Sequence, residues 1–102
     1  MPAPRSRAAE VLGRRVREAR IAFGMSQEEV ANLADMHVTN YGRVERGEAN
    51  SELHTIVRIA TALDTDPAEL MAGLYGDGML PQHARAYSVA DFIAARRAHE
   101  GR

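Results

Sequence analysis

The stretch Met25–Gly47, MSQEEVANLADMHVTNYGRVERG, decides the fold of this 102-residue chain. Ser26 followed three positions later by Glu29 is a capping box, in which each side chain satisfies a free backbone N–H of the first turn. Met25 with Val30 adds the apolar staple that fixes the entry angle. A helix opens here, with Val30, Leu33 and Ala34 expected on its apolar face. After a short break at Asp35–Met36, a second helix is predicted from Val38 to Arg46 and stops at Gly47. Tyr41 and Val44, three apart, define its inward side, so Thr39 and Arg43 point outward and Val38 and Asn40 flank them. Glu45 falls on the inward side, where a bare carboxylate is costly unless paired.

The surrounding sequence reads almost entirely as helix. From Ser6 to Phe23 the residues Leu12, Val16, Ala19 and Phe23 share one narrow stripe, with Arg14 and Arg17 pointing away and Arg20 at its edge. Arg20 is therefore the candidate partner for Glu45. Gly24 ends this helix. Beyond the loop Gly47–Asn50 a fourth helix is expected to bury Leu53, Ile56, Val57, Ala60 and Leu63. Asp66–Pro67–Ala68–Glu69 then restarts the chain with a capping Asp and a first-turn Pro, giving a fifth helix with Leu70, Met71 and Leu74 that ends near Tyr75. Residues 76–81 are a Gly/Pro break. A last helix begins at Ser88, with Asp91 closing its box and Tyr87/Phe92 as staple. No strand pattern or repeat stands out, and the fold class is all-α. The expected organisation is a flexible arm over 1–7, a five-helix domain over 8–75, a linker over 76–87 and a C-terminal helix over 88–102.

Composition narrows the function. The chain has no cysteine, which excludes disulfides and thiolate zinc sites. Its four histidines show no ligand spacing, so no metal is expected. No Ser/His/Asp or paired-carboxylate arrangement suggests catalysis, and neither a cofactor nor a small-molecule ligand is evident. The opening MPAPRSRAAE lacks the apolar run of a secretory signal and nothing approaches a membrane span, so a cytoplasmic protein without a membrane partner is expected. Net charge is −1, but residues 1–46 hold eight arginines against six carboxylates, whereas residues 47–74 hold one against five. All thirteen basic residues are Arg. GC-rich coding explains that as well as function does, although Arg forks suit phosphate and guanine better than Lys.

Two short helices joined by a tight turn form a helix-turn-helix. An outward face of Val38, Thr39, Asn40 and Arg43 suits base reading: Arg bonds guanine bidentately, Asn bonds adenine, and Val or Thr touches a thymine methyl. The bland alternative is a solvated face on a short helix. The segments RRVREARIAFGMSQEEVANLA, VTNYGRVERG and LHTIVRIATALDTDPAEL, in this order and spacing, resemble the lambda-repressor-like (Cro/Xre-type) helix-turn-helix family over about 60 residues. That resemblance implies a five-helix domain that binds pseudo-palindromic duplex DNA as a homodimer and regulates transcription, most often as a repressor. It implies base reading by Val38, Thr39, Asn40 and Arg43, phosphate contacts from Gln27, His37, Arg46 and Asn50, and a structural ion pair between Arg20 and Glu45.

Three positions depart from the family pattern. Asp35 stands where Gly is common, which is tolerable because Asp visits the left-handed region readily. His37 occupies an N-cap that usually holds Ser or Thr, so a start at Thr39 is the alternative. Gly42 inside the second helix costs about 1 kcal/mol relative to Ala, and tight packing on the preceding helix explains it better than close approach to DNA. Arg14, Arg15 and Arg17 are candidate contacts to flanking phosphates and Arg5 and Arg7 to a minor groove, each against the simpler reading of solvated charge. Val89, Phe92 and Ile93 make a short apolar stripe on the last helix, a candidate dimer contact or a dock for a protein partner. Rival functions are an antitoxin or restriction-modification controller of the same fold, and an adapter that binds protein but not DNA.

Overall fold

The computed structural model describes residues 3–84 and 86–101. It contains α1 (Arg7–Ala22), α2 (Gln27–Leu33), α3 (Val38–Glu45), α4 (Leu53–Ala62), α5 (Pro67–Met71), a 3₁₀ turn at Gln82–Ala84 and α6 (Val89–Glu100), with no strand among the described residues. The local signals act as their chemistry demands. The Ser6 hydroxyl accepts from the Ala9 N–H to start α1. Ser26 and Glu29 close both bonds of the box at α2, and Ser88 and Asp91 close the same pair at α6. Asp66 caps α5 through the Ala68 N–H. Asp35 adopts φ +55°, the left-handed turn between α2 and α3.

The core lies where α1 and α2 meet α3 and where α4 and α5 close over them. Val16, Val30, Tyr41, Ile59 and Leu63 are its largest fully buried side chains. The predicted faces need four corrections. Leu33 is 63% exposed, because α2 turns Val30, Ala31 and Ala34 inward. Leu33 lies about 110° from the centre of that face at 100° per residue. Leu53 and Val57 are exposed as well; the expected Ala60 and Leu63 are buried, joined by Ile59, which the sequence reading did not place on that face. Phe23 sits on the α1 stripe but at its C-cap, past the packed part of the helix, and is also exposed. The fifth helix stops at Met71, short of the expected Tyr75.

The N-terminal segment is tied to the body at two points. The Arg5 N–H donates to the Gly47 carbonyl at 2.7 Å, and the Ala8 N–H to the Met79 carbonyl at 3.0 Å. By contrast, α6 is absent from the closely packed helix pairs. The radius of gyration is 17.1 Å and the longest extent 61 Å, where a compact chain of this length has a radius of gyration of about 13 Å. The difference reflects α6 projecting from the five-helix body.

Candidate nucleic-acid interface

Two devices hold α3 in place. The first is a bare backbone contact. A Cβ added to Gly13 would stand 2.3 Å from the Val44 carbonyl oxygen and 2.5 Å from that of Glu45. Only glycine lets α1 cross α3 this closely. Gly47, at φ +74°, gives a similar approach to the Glu10 backbone.

The second device is the carboxylate of Glu45, 7% exposed. It accepts from Arg20 Nε at 2.7 Å and Arg20 Nη2 at 3.0 Å, and from Gln27 Nε2 at 2.9 Å. Arg20 Nη1 also donates to the Met25 carbonyl at 3.0 Å. One side chain of α3 thus binds α1 and the start of α2, and Arg20 ties in the turn between them. Burial pushes the Glu45 carboxyl up, but the hydrogen bonds from Arg20 and Gln27, helped by the nearby Tyr41 hydroxyl, outweigh it and hold the group below its ordinary value. Donation to the Glu45 carboxylate likewise raises Arg20 above its usual range. The Tyr41 hydroxyl is sealed from solvent beside this cluster, without a well-formed hydrogen bond of its own. Burial first, and then the close approach of the Glu45 carboxylate, push its phenol far above the ordinary value.

With Tyr41, Val44 and Glu45 inside, α3 presents Thr39, Asn40 and Arg43 to solvent. Arg43 makes no ion pair or side-chain hydrogen bond among the described residues. Val38 was expected outward but is half-buried and packs against the core, so less of it is available to a ligand. His37 makes no capping bond, as its chemistry suggested, yet α3 still begins at Val38. The space over Gly42 holds the ends of two side chains, Arg46 Nη1 at 3.0 Å and Gln27 Oε1 at 3.8 Å from where a Cβ would stand. Gly42 is therefore not forced by a backbone crossing. That role belongs to Gly13, which the sequence did not single out.

The residues expected at phosphates are distributed around α3. Gln27 has one amide hydrogen on Glu45, which leaves its second N–H unspent. Arg46 bonds Glu48 through Nε at 2.6 Å. Asn50 and His37 are exposed. Arg15 departs from the flanking-phosphate expectation: its Nη1 donates to the carbonyls of Leu70 at 3.0 Å and Ala72 at 2.7 Å. It caps the end of α5, a distant pairing that no local pattern signals. Arg14 and Arg17 remain exposed.

A model of the helix-turn-helix family matches residues 16–70, a span from the middle of α1 through α5. The chain belongs to the helix-turn-helix family. It is 39% identical over 62 residues to the control protein C.SmaI of Serratia marcescens, covering 61% of this chain and 74% of that one. Among solved structures it resembles the restriction-modification controller protein C.AhdI from Aeromonas hydrophila, with 45% identity, a TM-score of 0.60, and coverage of 61% of this chain and 94% of the other. A hypothetical transcription factor from Neisseria, NHTF, superposes with a TM-score of 0.61 at 33% identity over 63% of this chain and 74% of its own. The Cro/Xre-type, lambda-repressor-like resemblance seen in the sequence is borne out, and with it the all-α fold. No described helix is long and apolar enough to cross a membrane.

On α6, Val89 and Phe92 are 74% and 62% exposed and Ile93 is half-buried. The Arg96 guanidinium lies 5.5 Å from the centre of the Phe92 ring, and Arg96 also pairs with Glu100 at 4.0 Å.

Proposed function

We propose that this member of the helix-turn-helix family is a dimeric, sequence-specific regulator of transcription that reads duplex DNA with α3, in the manner of a restriction-modification controller. The carrying observation is the division of α3. Tyr41, Val44 and Glu45 are anchored inside, while Thr39, Asn40 and an unpaired Arg43 face outward. Those three side chains supply the donors, acceptors and methyl that the major-groove edges of bases require. Arg43 and Asn40 read bases, Thr39 contributes a methyl or hydroxyl contact, and Val38 adds an apolar edge. Gln27, His37, Arg46 and Asn50 hold phosphates on either side. Gln27 does so with the N–H that Glu45 leaves free, at the N-terminal end of α2 where backbone N–H groups favour an anion. The relationship to C.SmaI and C.AhdI supports the controller reading within the wider regulator class.

The exposed Val89 and Phe92 on α6, with Ile93, support a self-association or partner contact outside the DNA-binding body. Pairing of two copies would set two α3 helices about one turn of DNA apart, roughly 34 Å, or a multiple of it.

The test is binding of Arg43→Ala and Gln27→Ala to an operator duplex and to random duplex. Arg43→Ala loses discrimination, by the roughly 1–3 kcal/mol of a bidentate base contact. Gln27→Ala weakens both duplexes alike. Equal losses for the two substitutions on every sequence would remove the base-reading assignment.

A further inference from the structure

With a net charge of −1, the chain as a whole offers DNA no electrostatic attraction, so any attraction must come from local grouping. One such group lies outside the two helices of the motif. A polar cleft of about 440 Å³ runs from the segment before α1, across the outward side of α3, to α4. Three guanidiniums line it from three elements: Arg5, Arg43 and Arg58. None makes an ion pair or a side-chain hydrogen bond among the described residues. Three carboxylates, Asp35, Glu48 and Glu52, share the lining and offset the arginines only in part. Glu48 is already bonded to Arg46. Glu52 sits at the N-cap of α4, where the helix dipole favours a negative charge. Asp35 stands in the left-handed turn that leads into α3. Arg5 is held there by its backbone, through the bond to the Gly47 carbonyl, and not by its side chain, which stays free to engage a ligand.

We propose that Arg5 and Arg58 are DNA-backbone contacts, seating phosphates in the cleft beside α3 so that the footprint extends past the helix-turn-helix onto α4. This rests on the regulator reading above. Arg43 lines the same cleft, so a duplex engaged by α3 brings its sugar-phosphate chain to the two flanking arginines. Both contacts are independent of base identity. They add affinity to every duplex and no discrimination.

The test uses the full chain carrying Arg5→Gln or Arg58→Gln, and fluorescence anisotropy over a salt series. One probe is a duplex selected by the wild-type protein from a random pool, and the other an unselected duplex. Each substitution removes one phosphate contact, so the slope of log K against log salt falls by about 0.9 in magnitude. Near 0.15 M salt that corresponds to roughly fivefold weaker binding, equal on both probes. Glu52→Gln, which removes a repelling charge from the cleft, tightens both. Slopes identical to wild type overturn the proposal while leaving the regulator reading intact. So does a loss confined to the selected duplex, which would make these residues base readers. A loss in Arg58→Gln that tracks a change in sedimenting mass would transfer that residue to self-association. Wild-type protein that binds neither probe overturns the regulator reading itself, and this proposal with it.

Discussion

Replacing Gly13 by alanine puts one methyl group into the α1–α3 crossing, and the structure gives its consequence in numbers. The new Cβ would lie 2.3 Å from the Val44 carbonyl oxygen and 2.8 Å from the Glu45 carbonyl carbon. Ordinary contact needs about 3.5 Å, so the two helices must separate by roughly 1 Å. The obstacle is backbone, which has no alternative rotamer. Overpacking costs about 1–3 kcal/mol in general, and a rigid obstacle puts this case at the top of that range or above. Alanine returns about 1 kcal/mol through its better helix propensity. The net loss is about 2 kcal/mol, or roughly 8–16 °C in Tm for a domain of this size. Gly42→Ala is the control on the same helix. Its Cβ meets only the movable end of Arg46 at 3.0 Å and of Gln27 at 3.8 Å. The propensity gain of about 1 kcal/mol is offset by at most the modest worth of the exposed Arg46–Glu48 pair. Urea denaturation of both variants checks the reasoning: Gly13→Ala falls well below wild type while Gly42→Ala equals or exceeds it. A Gly13→Ala protein as stable as wild type would refute the close crossing.

Three other outcomes follow from the same structure. Glu45 has a folded-state pKa below its ordinary 4.5, so its contribution is full above that pH and is lost as pH falls through the folded value. The stability difference between wild type and Glu45→Gln, read from Tm, therefore narrows as pH drops below 4.5; a constant difference would show that the carboxylate charge is not what holds α3. Arg15→Ala removes two charge-assisted bonds to the end of α5 and costs about 1–3 kcal/mol, seen as a lower Tm and faster amide exchange in α5. Ending the chain at Pro81 keeps the Ala8–Met79 bond and removes α6; its sedimenting mass falls to that of a monomer if α6 pairs two copies, and an unchanged dimer mass removes that role.

Much of this structure is legible in the sequence wherever the cause is local. The boxes at Ser26/Glu29 and Ser88/Asp91, the Asp66 cap and the left-handed Asp35 are contacts among residues two to four apart, and the structure repeats them. The Arg20–Glu45 pair was legible because a carboxylate on an inward face demands a cation, and one stood at the edge of the neighbouring stripe. Side-chain burial was less so. Leu33, Leu53 and Val57 fit an apolar stripe by spacing, but which side of a helix is covered depends on how its neighbours cross it. Gly13 and Arg15 were missed for the same reason. Each acts on a residue more than thirty positions away, and helical periodicity carries no information about that partner. At the candidate interface, the division of α3 into anchored and outward sides could be read from spacing alone. The cleft that joins Arg5 and Arg58 to it could not, because it assembles three separated segments.

The bond between the Arg5 amide and the Gly47 carbonyl has a practical corollary. It sets Arg5 at the edge of the cleft beside α3. An affinity tag or fluorescent fusion joined ahead of Arg5 would emerge beside the proposed DNA-binding surface and compete with a duplex for it. The projecting end of α6 is the attachment point that leaves that surface open.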